Sequence, residues 1–190
     1  CLAEEVRIAM RDVDVVVVVG APGTEEYGKR FKEAADAWQA ACVKAAVKYD
    51  VLGGGKDKED DVKLLEERLK AEHAKTTGAL WLVLIGHGTF DGREAKFNLR
   101  GADVTPTQLA AWLKPLKREI VFIDTASSSA PFAKAVAGPN RICVSSTKSA
   151  DEFFYARFGE FFAKAIGGLS EADVDQDKQV SVLEAFLFSS

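Results

Sequence analysis

With 190 residues, 47% hydrophobic and 28% charged, the chain has the size and composition of one globular domain with a sizeable core. A net charge of −4 with no basic patch excludes a nucleic-acid backbone as partner. No apolar run approaches the ~20 residues that a membrane span requires.

In chain order, the first element is "VDVVVVVG" at 13–20, a continuous β-branched run that predicts a buried parallel strand ended by the turn "GAPG". A helix is predicted from Thr24, whose hydroxyl caps it while Glu25 and Glu26 suit its positive end. Tyr27, Phe31, Ala34, Trp38, Cys42 and Ala45 recur at steps of three or four and form its buried stripe. The polar, Gly-rich stretch "GGGKDKEDD" at 53–61 reads as a flexible loop. It lacks the Ser or Thr that a phosphate loop carries after a lysine such as Lys56. A helix over about 60–75 follows, with Val62, Leu65, Leu69 and then His73 along one face.

"ALWLVLIG" at 79–86 predicts the next strand, followed by a hairpin around Asp91-Gly92 and a short helix capped by Thr105 with Pro106 in its first position. "EIVFIDTA" at 119–126 and "RICVSST" at 141–147 predict two further strands, and "DEFFYARFGEFFAKAIGG" at 151–168 a helix ending at glycine. Strands separated by helices define an α/β fold with a mostly parallel central sheet and helices on both faces. The three cysteines fit no disulfide or zinc spacing. Cys42 and Cys143 read as small buried thiols, and Cys1 stands at the terminus.

Ligands of such sheets gather at the carboxyl ends of the strands, and two ends here carry reactive groups. One is His87 in "LIGHGTFDG", with Gly88 free to offer its amide to an oxyanion; the other is Ser127 in "FIDTASSSAPF". A histidine and a hydroxyl on two strand ends of one sheet make an acyl-transfer pair geometrically accessible. Ser128 and Ser129 read as turn residues.

Four stretches, "GAPGTEEYGKRF", "GHGTFDG", "VFIDTASSSAPF" and "DVDQDKQVSVLEAF", resemble the legumain-type branch of the caspase-haemoglobinase-fold cysteine peptidases, especially its bacterial members. The resemblance implies a caspase-like three-layer α/β fold and peptide-bond hydrolysis by a His/Cys dyad. His87 matches the family histidine, and Ala126-Ser127 matches the family's Ala-Cys pair. The nucleophile position therefore holds a serine. A thiol is partly ionised near neutral pH, but a hydroxyl needs a base steadied by a carboxylate, for which Asp91 and Asp124 are the candidates. In an active domain Ser127 attacks a peptide carbonyl, His87 shuttles the proton, and the Gly88 and Ser127 amides hold the oxyanion. The alternatives are a pseudo-peptidase whose cleft binds a peptide or protein partner, and a cysteine peptidase silenced by an introduced serine. A flavodoxin-like binding domain with a fortuitous Gly-His-Gly also remains. The family's asparagine pocket uses an arginine and an acid at positions that here hold Gly28 and Thr125, so no specificity carries over. Glu152, in the loop after the fourth strand, is a candidate to face the cleft.

Residues 1–170 make up this domain, and 171–190 a separate acidic loop with the start of a helix that is expected to continue beyond the last residue. The loop reads as twelve EF-hand-type positions. Asp173, Asp175 and Asp177 stand at positions 1, 3 and 5, the Gln179 carbonyl at 7, Ser181 at 9 and Glu184 at 12, with Val180 as the hydrophobic anchor. Such hard oxygen donors suit Ca²⁺. Lys178 replaces the usual glycine and must adopt a positive φ for the loop to close.

Overall fold

The computed structural model describes residues 12–54, 60–152, 154, 155 and 157–190; Cys1 and the Lys56 loop lie outside the described residues. Its centre is β1 (Val13–Val19), paired in parallel on one side with β2 (Lys48–Gly53) and on the other with β3 (Ala79–Ile85). β3 pairs with β6 (Glu119–Asp124), and β6 with β7 (Arg141–Ser145), again in parallel. The five-stranded order is β2-β1-β3-β6-β7, and β4 (Gly88–Phe90) with β5 (Ala95–Phe97) forms a separate antiparallel hairpin.

Among the described residues, six helices cover the sheet: α1 (Glu25–Ala45), α2 (Asp61–Ala71), α3 (Pro106–Leu113), α4 (Ala130–Val136), α5 (Phe158–Ile166) and α6 (Val182–Ser189). The valine run of β1 feeds both sides, because successive strand residues point to opposite faces. Val15, Val17 and Val19 join the core of α1, α5 and α6, while Val16 and Val18 join that of α2, α3 and α4. The result is the three-layer α/β arrangement expected of a caspase-like fold. Among the described residues, no helix is long and apolar enough to cross a membrane.

The local start signals act as read. Thr24 accepts the Tyr27 amide, and Thr105 and Gln108 form a reciprocal capping box with Pro106 in the first turn. The helical stripe of α1 is buried at Phe31, Ala34, Trp38 and Cys42, but Ala45 is exposed. His73 lies in a 3₁₀ turn (Glu72–Ala74) that follows α2.

Three elements differ from expectation. β2 and α4 have no sequence forecast. β2 is an edge strand with charged Lys48 and Asp50 and a half-exposed Val51, so it shows no apolar run. The helix expected from 151 begins only at Phe158. The carbonyls of Glu152 and Phe154, which an early helix would need for itself, instead accept from Ser128 and Ser127.

At the amino end of the sheet a charge cluster is sealed inside. Arg118 donates to Asp14 and to Glu72 at 2.6 Å each, and to the carbonyls of Asp12 (2.8 Å) and Ala79 (2.6 Å). Lys75 bridges the same two carboxylates at 2.8 and 3.0 Å, and Arg68 bonds Glu72. These cations hold both carboxyls below the ordinary range against the opposing effect of burial. Replacing Arg118 by methionine leaves Asp14 with the Lys75 hydrogen bond and Glu72 with those of Lys75 and Arg68, and urea unfolding is expected to show a loss of about 3 kcal/mol.

Candidate functional site

β3 and β6 end side by side, and their extensions carry the two candidate groups. Gly88 is the pivot between them. A Cβ on Gly88 would lie 1.9 Å from the Ser127 carbonyl oxygen, so the backbones touch in a way that only glycine permits. The sequence pair His87 and Ser127 is thus brought to one corner. The glycine after the histidine is required there for packing, whatever chemistry follows.

The two side chains do not engage each other. Ser127 is 4% exposed, and its hydroxyl donates to the Phe154 carbonyl at 2.9 Å. His87 Nε2 pairs with the Pro22 carbonyl at 3.2 Å. That contact fixes Nε2 as the protonated nitrogen, since a carbonyl can only accept. Among the described residues, no hydrogen bond joins the imidazole to the hydroxyl.

An aromatic collar holds His87. The ring of Tyr27 meets it edge-on with centroids 4.4 Å apart, that of Phe31 at 5.1 Å, and that of Tyr155 at 6.3 Å. Tyr27 and Phe31 belong to the stripe legible in α1. Tyr155 arrives from another part of the chain, and no local signal announces it. Its hydroxyl donates to Glu160, which also pairs with Arg30 at 3.3 Å.

Neither carboxylate proposed to steady the histidine is placed to do so. Asp91 Oδ1 accepts the amides of Arg93 and Glu94 at 2.9 Å and closes the exposed hairpin turn. Those amides hold the Asp91 carboxyl below its ordinary range. Asp124 follows Phe122 on the sheet face turned to α3 and α4, whereas the His87 ring lies against Tyr27 and Phe31 of α1. Burial pushes the Asp124 carboxyl up to about 8, so at neutral pH it carries no charge with which to stabilise an imidazolium.

The serine run serves the turn. Ser128 adopts the left-handed region with φ 53° and donates its amide to the Glu152 carbonyl at 2.9 Å. Ser129 opens α4, and its hydroxyl shares hydrogen bonds with Ser146 (3.1 Å) and Thr147 (3.0 Å). The Glu152 side chain is exposed and accepts the Lys148 amide, so it closes its own loop and does not reach His87. Thr125 is buried, donates to the Leu84 carbonyl and packs against Gly159, and Gly28 lies within α1.

The Gly88 amide is a separate matter. In an antiparallel ladder, hydrogen-bonded and non-bonded pairs alternate. The Asn98 amide donates to the His87 carbonyl, and Phe97 spends both its backbone groups on Val104. Gly88, opposite Phe97, therefore turns its N–H away from the hairpin partner. An open groove beside Pro22, lined by Gly23, Thr24, Gly28, Lys29 and Lys32, runs along the start of α1. The crevice between β1 and β3, where the strand order reverses, is filled by Phe97, whose ring lies 3.0–3.2 Å from the positions of a Cβ on Gly20 or Gly86. A flavodoxin-type ligand would need that space.

In the acidic loop, carboxylate oxygens of Asp173, Asp175 and Asp177 lie within 4.8 Å of one another. Asp173 accepts the Asp177 and Lys178 amides, and Asp177 accepts that of Gln179, which turns the three carboxylates inward. Lys178, at the usual glycine position, takes φ 70°, the left-handed conformation that glycine tolerates best, and Gln176 takes φ 61°. Glu184 and Ser181 stand apart from the trio. Glu184 Oε1 accepts the Val174 and Asp175 amides, and Oε2 accepts the amide and hydroxyl of Ser181, which in turn caps α6. The Ser181 amide and hydroxyl, with the Asp175 amide, hold the Glu184 carboxyl down to about 2, so it stays anionic. The set is made of hard oxygens, and it fits a Ca²⁺ ion better than a softer metal.

No protein-family model matches the sequence, and no curated protein does. Among solved structures, one from Geobacter sulfurreducens, a structural genomics target, is similar at 16% identity with a TM-score of 0.43. The match covers 60% of this chain and spans half the length of the other.

The backbone contact at Gly88 makes a direct prediction. Gly88→Ala drives a methyl into the Ser127 carbonyl and is expected to cost about 3 kcal/mol or more in chemical denaturation. Gly92→Ala, where nothing lies within 4 Å but φ is 88°, is expected to cost less than that.

Proposed function

We propose that this chain is a legumain- or caspase-type peptidase-fold domain that binds an extended peptide or protein partner at the His87–Ser127 corner and does not hydrolyse it. The observation that carries the reading is the pair of separate hydrogen bonds, Ser127 to the Phe154 carbonyl and His87 to the Pro22 carbonyl. Attack by a hydroxyl requires its proton to pass to the imidazole as the new bond forms. Here the hydroxyl proton points at a main-chain acceptor, the imidazole presents a proton of its own, and among the described residues no carboxylate backs it. What supports recognition is the open groove beside Pro22, whose carbonyl His87 contacts. An extended chain fits such a groove.

In this reading Asp173, Asp175 and Asp177, with the Gln179 carbonyl, hold Ca²⁺, and Ser181 and Glu184 complete the frame. The ion neutralises three clustered carboxylates and tightens the loop that leads into α6.

The wild-type protein is expected to cleave no member of a peptide library and to take up no more fluorophosphonate probe than Ser127→Ala. Cleavage that disappears in both Ser127→Ala and His87→Ala would identify a working serine enzyme and defeat the proposal. Strong cleavage by Ser127→Cys that depends on His87 would instead identify a silenced cysteine peptidase.

Calcium gives an independent measurement. A free concentration of 100 times Kd stabilises a protein by about 2.7 kcal/mol, so the melting temperature should rise by several degrees on adding Ca²⁺ and fall back with chelator. Asp175→Asn is expected to remove most of that rise. An unchanged melting temperature in the wild type discards the site.

A further inference from the structure

Asp124 is the last residue of β6, wholly buried at 0% exposure, and its carboxyl is half satisfied. Oδ1 accepts the Ala126 amide at 3.0 Å, while Oδ2 is buried with no hydrogen-bond partner. A charged carboxylate so placed would lack most of the hydrogen bonds it has in water, at a high cost in free energy. A neutral acid loses much less, because only the charged form carries the large desolvation cost.

Among the described residues, the surroundings bring no cation to it. Asp124 shares its sheet face with Ile120 and Phe122, over the core layer that contains Leu84, Phe97 and Phe132. Of the elements on that face, α3 has no charged residue, and α4 has only the exposed Lys134. In the β4–β5 hairpin, Asp91, Arg93 and Glu94 are exposed and Lys96 is half-exposed. α2 contributes Asp61, which is bonded to Arg100, and Arg68, which is bonded to Asp50 and Glu72. The remaining charges of α2, Lys63, Glu66, Glu67 and Lys70, pair with one another along its outer side. β7 has Arg141 at its opposite end, engaged with the carbonyls of Val136 and Leu113.

Asp124 also anchors the corner mechanically. Its side chain holds the Ala126 amide, and its carbonyl accepts the Ser146 amide at 3.0 Å. Ser146 returns a hydroxyl bond to the Ala126 carbonyl at 2.6 Å. Two residues on, Ser128 holds φ 53° with its own hydroxyl buried and unpartnered. The turn that presents Ser127 thus lies between two unsatisfied side-chain oxygens, and the Asp124 carboxyl bridges strand and turn.

We propose that Asp124 is a buried proton-holding residue that locks the Ser127 corner while neutral and releases it on ionisation, so that the corner opens as pH rises. The inference concerns how the corner is built, and it stands whether or not the corner binds peptide. Burial raises the carboxyl to about 8, opposed only by the Ala126 amide, so the lock is closed at neutral pH. The unfolded chain releases this proton near pH 4. The folded state therefore binds one more proton between about pH 4 and 8, and the stability held by neutral Asp124 declines across that window and is gone above it.

The test is amide hydrogen exchange across 124–129 in the full chain, corrected for intrinsic base catalysis, for wild type and Asp124→Asn. Asparagine keeps an oxygen for the Ala126 amide but cannot ionise. Protection in the wild type is expected to fall at least about tenfold from pH 7 to 9 and to stay level in Asp124→Asn. Equal pH dependence in the two proteins overturns the proposal. Should the variant not fold, the carboxyl ¹³C shift of Asp124 in the wild type decides. A midpoint near 8 sustains the lock, and one in the ordinary carboxylate range near 4 removes it.

Discussion

The sheet depends on the charge cluster closed beneath it. Arg118 enters at the start of β6 and reaches Asp14 on β1, Glu72 after α2 and the main chain of β3, so one guanidinium ties β1 and the α2–β3 connection to β6. The rest of the sheet is Val, Leu and Ile packed between two apolar layers, where one residue fits nearly as well as the next. A planar group with fixed donors is less permissive, because without it the buried Asp14 and Glu72 carboxylates would depend on the hydrogen bonds of Lys75 and Arg68. The amino ends of β1, β3 and β6 are thereby pinned together, and their carboxyl ends emerge in register.

That register makes the His87–Ser127 corner. β3 delivers His87 and Gly88, β6 delivers Asp124 to Ser127, and the absence of a side chain on Gly88 lets the two backbones touch. Once they touch, Glu152 and Phe154 supply acceptors to the turn, and Tyr155 an aromatic ring to the imidazole. The corner has the frame in which a nucleophile and a base would meet, yet each side chain is held by a different neighbour. The same close packing that brings them near also removes Ser127 from solvent.

The acidic loop follows a different logic. Its carboxylates are organised by amides of its own twelve residues, and Glu184 closes it by gathering amides from both ends. Little of this depends on the sheet, so spacing alone locates the three aspartates that converge. Spacing does not reveal that Glu184 and Ser181 are already engaged with each other.

The sequence by itself determined what local rules decide. The valine run, the caps at Thr24 and Thr105, the α1 stripe, the α/β alternation and the positive φ at Lys178 follow from propensity, periodicity and steric limits within a few residues. Tertiary structure alone decided the rest: the edge strand β2, whose charged residues hide it from any apolar pattern; the late start of α5, set by carbonyls given to a distant turn; and the Arg118 cluster. It also decided that Ser127 faces Phe154 and that Asp124 is buried on the far side from His87. These outcomes depend on which groups meet across tens of residues and on how much water is left between them. A one-dimensional pattern can place a histidine and a serine at neighbouring strand ends, but the direction of a hydroxyl proton is fixed only when every competing acceptor is in place.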